Sequence, residues 1–501
     1  MAWNLRRLLK YPLSAAVSLG TTLAIAEKPE LTALFPASGQ AGTTVSLTAQ
    51  GKFAGWPMQV WSDSPGLQIT CGTEPGQLQV VIGPQVEHGR HWIRLHSTQG
   101  ASGLRPFLVD GALHALEVEP NDRPAQVTQV VVTRLGESSD NVIDGVLNRR
   151  ADVDLVAVTL AADQWLAATV DSAKWLESPA DASLQILDEH GFVLKENLDH
   201  VGLDPYIAYQ APQAGKYLVR IFAFPASPDS TIAFSGGSDW IYRLRLDGHP
   251  EPLNSALDYA QHLELQTLAS APVASGAHTS ADQALAVSLP SRVTGTIAKP
   301  QQVDHVRFQA SAGQHYRFSV LARGCGSSLD AVLAVLDAQG KQLTQLDDVA
   351  QIRDPLIQWQ APADGDYVVS IGDFHKLGGD DYRYFLQLDL QNPDATANVD
   401  GDLISAIVGV EQEIVVNVQR QLDYAGELAI TIEGMPGGIK SSPVSSISGS
   451  DTSAKVTLKL IASEPFQGPL TMVATSLDGL IAKPVAGPQG KPVWLSITPA
   501  E

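Results

Sequence analysis

The chain of 501 residues carries 33 Lys+Arg against 54 Asp+Glu, a formal charge of −21, and nucleic acid and anionic lipid both repel such a polyanion. Hydrophobic residues at 44% and charged residues at 17% describe folded cores and exclude a disordered chain. Two cysteines, Cys71 and Cys325, exclude a disulfide framework and a cysteine-rich zinc or iron–sulfur centre.

Residues 1–26 read as a secretory signal. Arg6, Arg7 and Lys10 make a basic start, residues 12–23 are mostly apolar, and Ala24-Ile25-Ala26 offers small residues for a signal peptidase. The apolar run falls short of the ~20 residues a spanning helix needs. No other stretch is apolar and long enough to cross a bilayer. The expected product is secreted, periplasmic or at the cell surface, with no membrane insertion after signal removal.

Beyond residue 27, period-two alternation at residues 44–48, 77–82 and 455–460 predicts half-buried strands. Strands recurring about every ten residues predict β-sandwiches or barrels. One helix is expected over residues 254–268, where Leu257, Ala260, Leu263 and Leu265 share a rough face behind Asn254 or Ser255 as cap. The Ala/Ser/Gly-rich residues 270–280 then read as linker.

An internal repeat organises the middle of the chain. Asp181-Ala-Ser-Leu-Gln-Ile-Leu-Asp188 matches Asp330-Ala-Val-Leu-Ala-Val-Leu-Asp337 at an offset of 149, and Gly191 falls on Gly340. Gln210-Ala211-Pro212 and Tyr217 then match Gln360-Ala361-Pro362 and Tyr367 at an offset of 150; upstream, Gly145 and Asp154 match Gly295 and Asp304. A repeat longer than about 100 residues is a duplicated domain, since solenoid units run ~20–50. Leu-Asp-x-x-Gly reads as a strand ending in a tight turn, and Tyr217 and Tyr367 as core rings with hydroxyls near backbone. The two cysteines fall in different domains and are expected as isolated core thiols.

Glu117-Val118-Glu119-Pro120-Asn121-Asp122, followed by Asp152-Val153-Asp154, the Leu-Asp-x-x-Gly turn and Gly-x-Tyr, resembles the bacterial pre-peptidase C-terminal (PPC) domain. That family includes the collagen-binding domains of clostridial collagenases. The resemblance covers residues 115–247 and again 284–390, where the acidic opening is missing. The flanks resemble immunoglobulin-like modules that accompany such domains in large secreted proteins of planctomycete-type bacteria. It implies an all-β fold of tandem β-sandwiches, two jelly-roll-like PPC domains flanked by immunoglobulin-like domains. The implied organisation is a signal peptide at 1–26, an IPT-type immunoglobulin-like domain at 27–110 and a first PPC-like sandwich at 111–248. A linker with a short helix at 249–283, a second PPC-like sandwich at 284–392 and a C-terminal immunoglobulin-like domain at 393–501 complete it. In the collagenase relatives the acidic opening ligates calcium, which implies that role for Glu117, Glu119, Asn121 and Asp122, with Asp152 and Asp154 as further ligands.

The residues themselves allow that chemistry. Glu117, Glu119 and Asn121 alternate, so an extended segment projects them to one side, and Asp122 can bend back at the turn. Ca²⁺ takes about six to eight oxygens in flexible geometry, a shell these residues with Asp152 and Asp154 largely supply. The same residues also read as an acidic interdomain linker with solvated charges, and both readings stand. The second repeat has Gln302 in place of Asp152 and keeps Asp304, so no metal is expected there.

His88 and His91 beside Glu87 suggest zinc, but zinc needs about three or four converging ligands. Gly89-Arg90-His91-Trp92 repeats the Gly-x-aromatic strand start, so structural histidines are expected. Asp400-Gly401-Asp402 reads as a turn. No Gly-x-Ser-x-Gly elbow, His-Glu-x-x-His or Gly-x4-Gly-Lys-Ser/Thr occurs, so no enzyme is expected; an unrecognised secreted hydrolase remains a rival. The expected function is non-catalytic binding or adhesion to an extracellular protein or polysaccharide, with Trp165, Trp175, Trp240 and Phe374 as candidate exposed aromatics. A structural or assembly role in the envelope or a secreted enzyme complex is the other rival. Ligand choice lives in surface residues, so collagen specificity is not carried over.

Overall fold

The computed structural model describes residues 28–127, 141–200, 202–226, 234–249, 273–274, 278–323, 327–348, 354–477, 479 and 481–500. The signal at 1–26, the helix expected over 254–268 and Cys325 lie outside the described residues. Strand is the dominant regular structure among the described residues. Helix is confined to short pieces such as the single turn Ala173–Leu176.

Alternation in the sequence becomes alternation in burial. Lys455–Ala462 sends Val456, Leu458, Leu460 and Ala462 inward, and Gln77–Ile82 does the same with Leu78, Val80 and Ile82. One apolar face per strand is what two sheets sharing a core require. In the N-terminal sandwich the sheet Glu30–Phe35, Thr44–Lys52, Gln77–Ile82, Leu67–Cys71 packs on Ser38–Gln40, Arg105–Asp110, Gly89–Ser97, Gln59–Ser62. The C-terminal sandwich surrounds one core that includes Val416, Leu428, Ile430, Leu458 and Ile497.

Between them lie two eight-stranded units. In the first, Asn141–Val146, Ile241–His249, Trp165–Asp171 and Tyr206–Gln210 form one sheet; Asp154–Leu160, Gly215–Pro225, Ala180–Leu187 and Val193–Asn197 form the other. Numbered along the chain, these eight run 1-8-3-6 and 2-7-4-5, the double Greek key of a jelly roll. The second unit repeats that order. Its sheets are Ser291–Thr296, Arg383–Gln391, His315–Leu321, Leu356–Gln360 and Val303–Ala310, Gly365–Asp373, Ala331–Asp337, Gln342–Leu346. Each unit has its own core. The repeat in sequence is therefore a repeat of topology.

The repeated residues act as expected. Asp188 Oδ1 accepts the His190 and Phe192 N–H groups at 2.9 Å, and Gly191 holds φ at +91°. Asp337 Oδ1 accepts from Gln339 and Lys341 at 3.0 and 2.9 Å, and Gly340 holds φ at +81°. The Tyr217 hydroxyl donates to the Gln213 carbonyl at 2.8 Å, and Tyr367 to that of Ala363 at 3.1 Å.

Three sandwiches interlock through the N-terminal one. Strand Gly89–Ser97 turns Ile93 and Leu95 into its own core, which leaves Arg94 and His96 on the opposite face. There the Trp61 and His96 rings lie 5.5 and 4.9 Å from the ring of Trp494 in the C-terminal sandwich. Arg94, fully buried, donates to Asp402 Oδ2 at 3.1 Å and to the Ser102 carbonyl at 2.8 Å. Burial pulls the Arg94 pKa down to about 10, with Asp402 opposing, so it stays charged at neutral pH. Asp402, expected only to make a turn, is its counter-ion. Toward the first jelly roll, Ala33, Ala37 and Leu108 pack on Leu176 and Ile241. Glu177 of that jelly roll accepts from Arg105 at 3.2 Å and from Lys491 of the C-terminal sandwich at 2.5 Å.

Removing one partner of a buried pair strands the other charge, so Asp402→Ala should destabilise the chain by roughly 3 kcal/mol, and Arg94→Met by less. Denaturant titration checks the difference between the two variants, and faster limited proteolysis of Asp402→Ala checks that the C-terminal sandwich is released.

Candidate metal centre

The short strand Leu113–Leu116 lies parallel to Asn141–Val146, and the Glu117 N–H extends the pairing to the Asp144 carbonyl at 3.0 Å. The chain then runs through Glu119, Asn121 and Asp122 beside the turn that carries Asn148, Arg149 and Asp152. Asp152 and Asp154, on that turn and at the head of Asp154–Leu160, are both 0% exposed.

One oxygen each from Glu119, Asp152 and Asp154 lie within 4.8 Å of one another, the one such acidic or histidine group among the described residues. Glu119 Oε1 accepts from the Asn148 side-chain amide at 2.9 Å, and Oε2 from the Asn121 N–H at 3.1 Å. Asp152 Oδ2 accepts the Asn148 N–H at 2.6 Å. Asp152 Oδ1 stands 3.0 Å from the Arg149 guanidinium but has no aligned hydrogen bond, and buried Asp154 Oδ2 has no hydrogen-bond partner. The Asn121 amide completes the group. One way round, its nitrogen donates to Asp154 Oδ1 at 3.0 Å and Glu119 Oε2 at 3.1 Å. The other way round, three oxygens face one another, an arrangement that a proton or a cation would stabilise.

Glu117 and Asp122 also make contacts of their own. Glu117 Oε1 accepts the Val146 N–H at 2.7 Å and Oε2 the Tyr242 hydroxyl at 2.9 Å. The strand edge offers an unpaired N–H, and Glu117 answers it. Asp122 pairs with Arg149 at 2.6 Å. Glu119, Asn121, Asp152 and Asp154 converge, and the Glu117 carboxyl borders them through its contact with Asp154.

Electrostatics follow burial. Burial, then the charge of Glu117, pushes the Asp154 pKa from the ordinary 3.8 up to about 9, and burial also raises Asp152 and Glu117. A carboxyl raised in the fold contributes stability while protonated, fully below its unfolded pKa and progressively less as pH climbs to the folded value.

The second jelly roll resolves the same position differently. The Tyr384 hydroxyl donates to Asp304 Oδ2 at 2.8 Å, and Gln302 Nε2 donates to Asp304 Oδ1 at 2.8 Å and to the Thr296 carbonyl at 3.0 Å. Gln302 Oε1 accepts the Lys299 N–H at 3.2 Å, one residue along from the N–H that Asp152 accepts in the first copy. A donor therefore stands in the second copy where the first has a bare acceptor. In both copies a tyrosine from the last strand crosses a glycine to reach this place. A Cβ on Gly145 would collide with Tyr242, and one on Gly295 with Tyr384. Tyr242 and Tyr384 are marked in the sequence only by the Tyr-x-Leu-x-Leu pattern that the two final strands share.

The other singled-out residues have different roles. His91 Nε2 lies 2.8 Å from the Glu87 carbonyl and Nδ1 3.5 Å from Asp63, and His88 joins no ligand group among the described residues. Of the four candidate exposed aromatics, Trp165, Trp175 and Trp240 are half-buried. Trp175 sits between Arg90 and Lys174, and Trp240 packs on the core. Phe374 is 53% exposed. A Ser–His–Asp arrangement does occur: Ser38 Oγ lies 3.2 Å from His114 Nδ1, and His114 Nε2 lies 3.0 Å from Asp110 Oδ1. Ser38 is 1% exposed, however, and donates to Asp144, whose oxygens lie 2.7 and 2.9 Å away. A nucleophile needs its hydroxyl proton shared with the base and its oxygen open to substrate. This one bonds two sandwiches together.

No family model matches the chain. A "Probable subtilase-type serine protease" of Deinococcus radiodurans is 39% identical over 87 residues, 17% of this chain and 12% of that protein. The chain thus spans only a small part of that relative. Among solved structures, the pre-peptidase C-terminal domain of a Bacillus anthracis collagenase is 14% identical, covering 21% of this chain and 94% of that one, with a TM-score of 0.18. A periplasmic inhibitor of g-type lysozyme from Aeromonas hydrophila is 17% identical over 24% of this chain and 100% of that one, with a TM-score of 0.18. Fibronectin(III)-like modules of Clostridium thermocellum CbhA are 12% identical over 38% and 88%, with a TM-score of 0.15. The fold itself defines the class: an all-β chain of tandem sandwiches.

Two outcomes follow from the site. Without metal, the first jelly roll should melt at falling temperature as pH rises from about 5 to about 9, and Asp154→Asn should flatten that slope. Gln302→Leu should cost the second jelly roll ~1–3 kcal/mol by denaturant titration, equally with and without added metal, because Asp304 loses a donor.

Proposed function

We propose that this is an exported, non-catalytic binding protein whose first jelly roll is stapled by calcium and whose sandwiches meet an extracellular protein or polysaccharide. The observation that carries the calcium reading is the pair Asp152 and Asp154, each 0% exposed and each with a carboxylate oxygen lacking a hydrogen bond. Burial holds the Asp154 proton on up to about pH 9, and a divalent cation would supply the positive charge that lets this carboxyl ionise in place. An all-oxygen donor set of carboxylates and one amide suits a hard ion of flexible geometry, which favours Ca²⁺ over zinc. Glu119, Asn121, Asp152 and Asp154 would hold it, with Glu117 and Asp122 as outer acids. Calcium supplies no reaction here. It would tie the segment entering the jelly roll to the turn before Asp154–Leu160, so binding energy becomes folding energy.

The binding reading rests on the resemblance to accessory PPC domains and on the exposed loop after Gly365–Asp373, where Phe374 is 53% and Leu377 50% exposed. Two copies on one chain raise avidity wherever both engage. Export rests on residues 1–26. Among the described residues no helix is long and apolar enough to cross a membrane.

Millimolar calcium should raise the melting temperature of the chain and release heat on titration, and Asp154→Asn should abolish both. Absence of heat and of any melting shift would remove the calcium reading. On an array of matrix proteins and polysaccharides, Phe374→Ala should weaken capture about tenfold, as loss of a buried aromatic anchor does; unchanged capture would move the contact elsewhere.

A further inference from the structure

Arg149 stands against the cluster. Its Nη2 lies 2.6 Å from Asp122 Oδ1, and its Nη1 lies 3.0 Å from Asp152 Oδ1 and 3.8 Å from Glu119 Oε1. One guanidinium therefore touches three carboxylates, two of which belong to the converging set. Its side chain is 50% exposed, so it can swing into water at little cost. The guanidinium reaches the rim but not Asp154, whose buried carboxyl is left with Glu117 and Tyr242 beside it and one oxygen without an aligned hydrogen bond.

The duplication supplies an internal control. Asp152 N–H bonds the Arg149 carbonyl at 3.2 Å with Ala151 at φ +61°, and Gln302 N–H bonds the Lys299 carbonyl at 3.1 Å with Gln301 at φ +67°. The backbone turn is the same in both. Lys299 occupies the place of Arg149, and among the described residues no ion pair is found for it. Where Gln302 fills the acidic position with an amide, no tethered cation reaches in.

Resting on the reading that this cluster takes calcium, we propose that Arg149 is a tethered cation that neutralises the empty site and sets the calcium concentration needed to fill it. In the empty site it offsets the mutual repulsion of Glu119, Asp122 and Asp152. Once Ca²⁺ arrives, the two cations share Asp152 and Glu119 and repel each other, so the guanidinium gives up contacts as the metal binds. Arg149 is thus a positioning and affinity-setting residue and not a ligand. Its contribution is partly exposed and therefore screened by salt.

The test is calcium titration and thermal melting of the full chain as wild type, Arg149→Gln and Arg149→Lys, each at low and at high salt. We expect R149Q to bind Ca²⁺ about three- to tenfold tighter at low salt, from loss of a like charge a few ångströms away. We also expect it to melt lower than wild type without metal, R149K to lie between, and the affinity gap to shrink at high salt. If calcium binds all three equally, or R149Q more weakly, the role of Arg149 is overturned while the calcium site stands. If none of the three takes calcium, the site reading fails and this inference falls with it.

Discussion

A carboxylate taken out of water must find a counter-charge, a donor or a proton. Asp154 and its counterpart Asp304 sit at the same point of two jelly rolls with the same strand order, both 0% exposed. The second copy answers with hydrogen bonds: Tyr384 and the Gln302 amide donate to the two oxygens of Asp304. The first copy replaces that amide with Asp152 and adds Glu119, which multiplies acceptors and removes a donor. Exchanging the amide for an acid and adding Glu119 thus turns a self-satisfied position into one rich in acceptors, where Asp154 holds a proton up to about pH 9.

The surrounding structure ties this position to the rest of the molecule. Glu117 directly follows the strand Leu113–Leu116, and His114 in that strand lies 3.0 Å from Asp110 of the N-terminal sandwich. Ser38 of the same sandwich bonds Asp144, on the strand that pairs with it. Arg243 then bridges Asp110 and Asp171. The acidic segment is therefore the continuation of an interdomain contact and not a free linker. Glu177 and Arg94 extend the contact to the C-terminal sandwich. Buried pairs of this kind give orientation more than stability.

Much of this was legible in the residues. The alternation at 77–82 and 455–460 shows strand and face together, because side chains in a strand alternate between faces. Asp188-x-x-Gly191 and Asp337-x-x-Gly340 announced their turns because both residue types act locally, through side-chain acceptance and positive φ. The offset match exposed the duplication. The acidic cluster is legible as a group of residues, Glu117, Glu119, Asn121, Asp122, Asp152 and Asp154, but not in the way Glu117 also accepts from Val146 or Asp122 pairs with Arg149. Their direction depends on the Val146 N–H and on Arg149, partners that spacing does not reveal. Tyr242 approaches from a strand about a hundred residues downstream, across Gly145, and Asp402 meets Arg94 across two sandwiches. Such contacts are set by tertiary packing. The exposure of the tryptophans was hidden for the same reason: an aromatic in an alternating strand fits either face, and here Trp240 lies on the core.

If a metal ion completes one of the two buried acidic positions, it is the first copy's, since Gln302 fills the second. Counting calcium on the intact chain by native mass spectrometry, with equilibrium dialysis as the check, tests it most directly. The account predicts one ion per chain. None would mean that protons or Arg149 suffice at Asp154, and two would mean that the Gln302 amide does not fill the corresponding place; either count contradicts it.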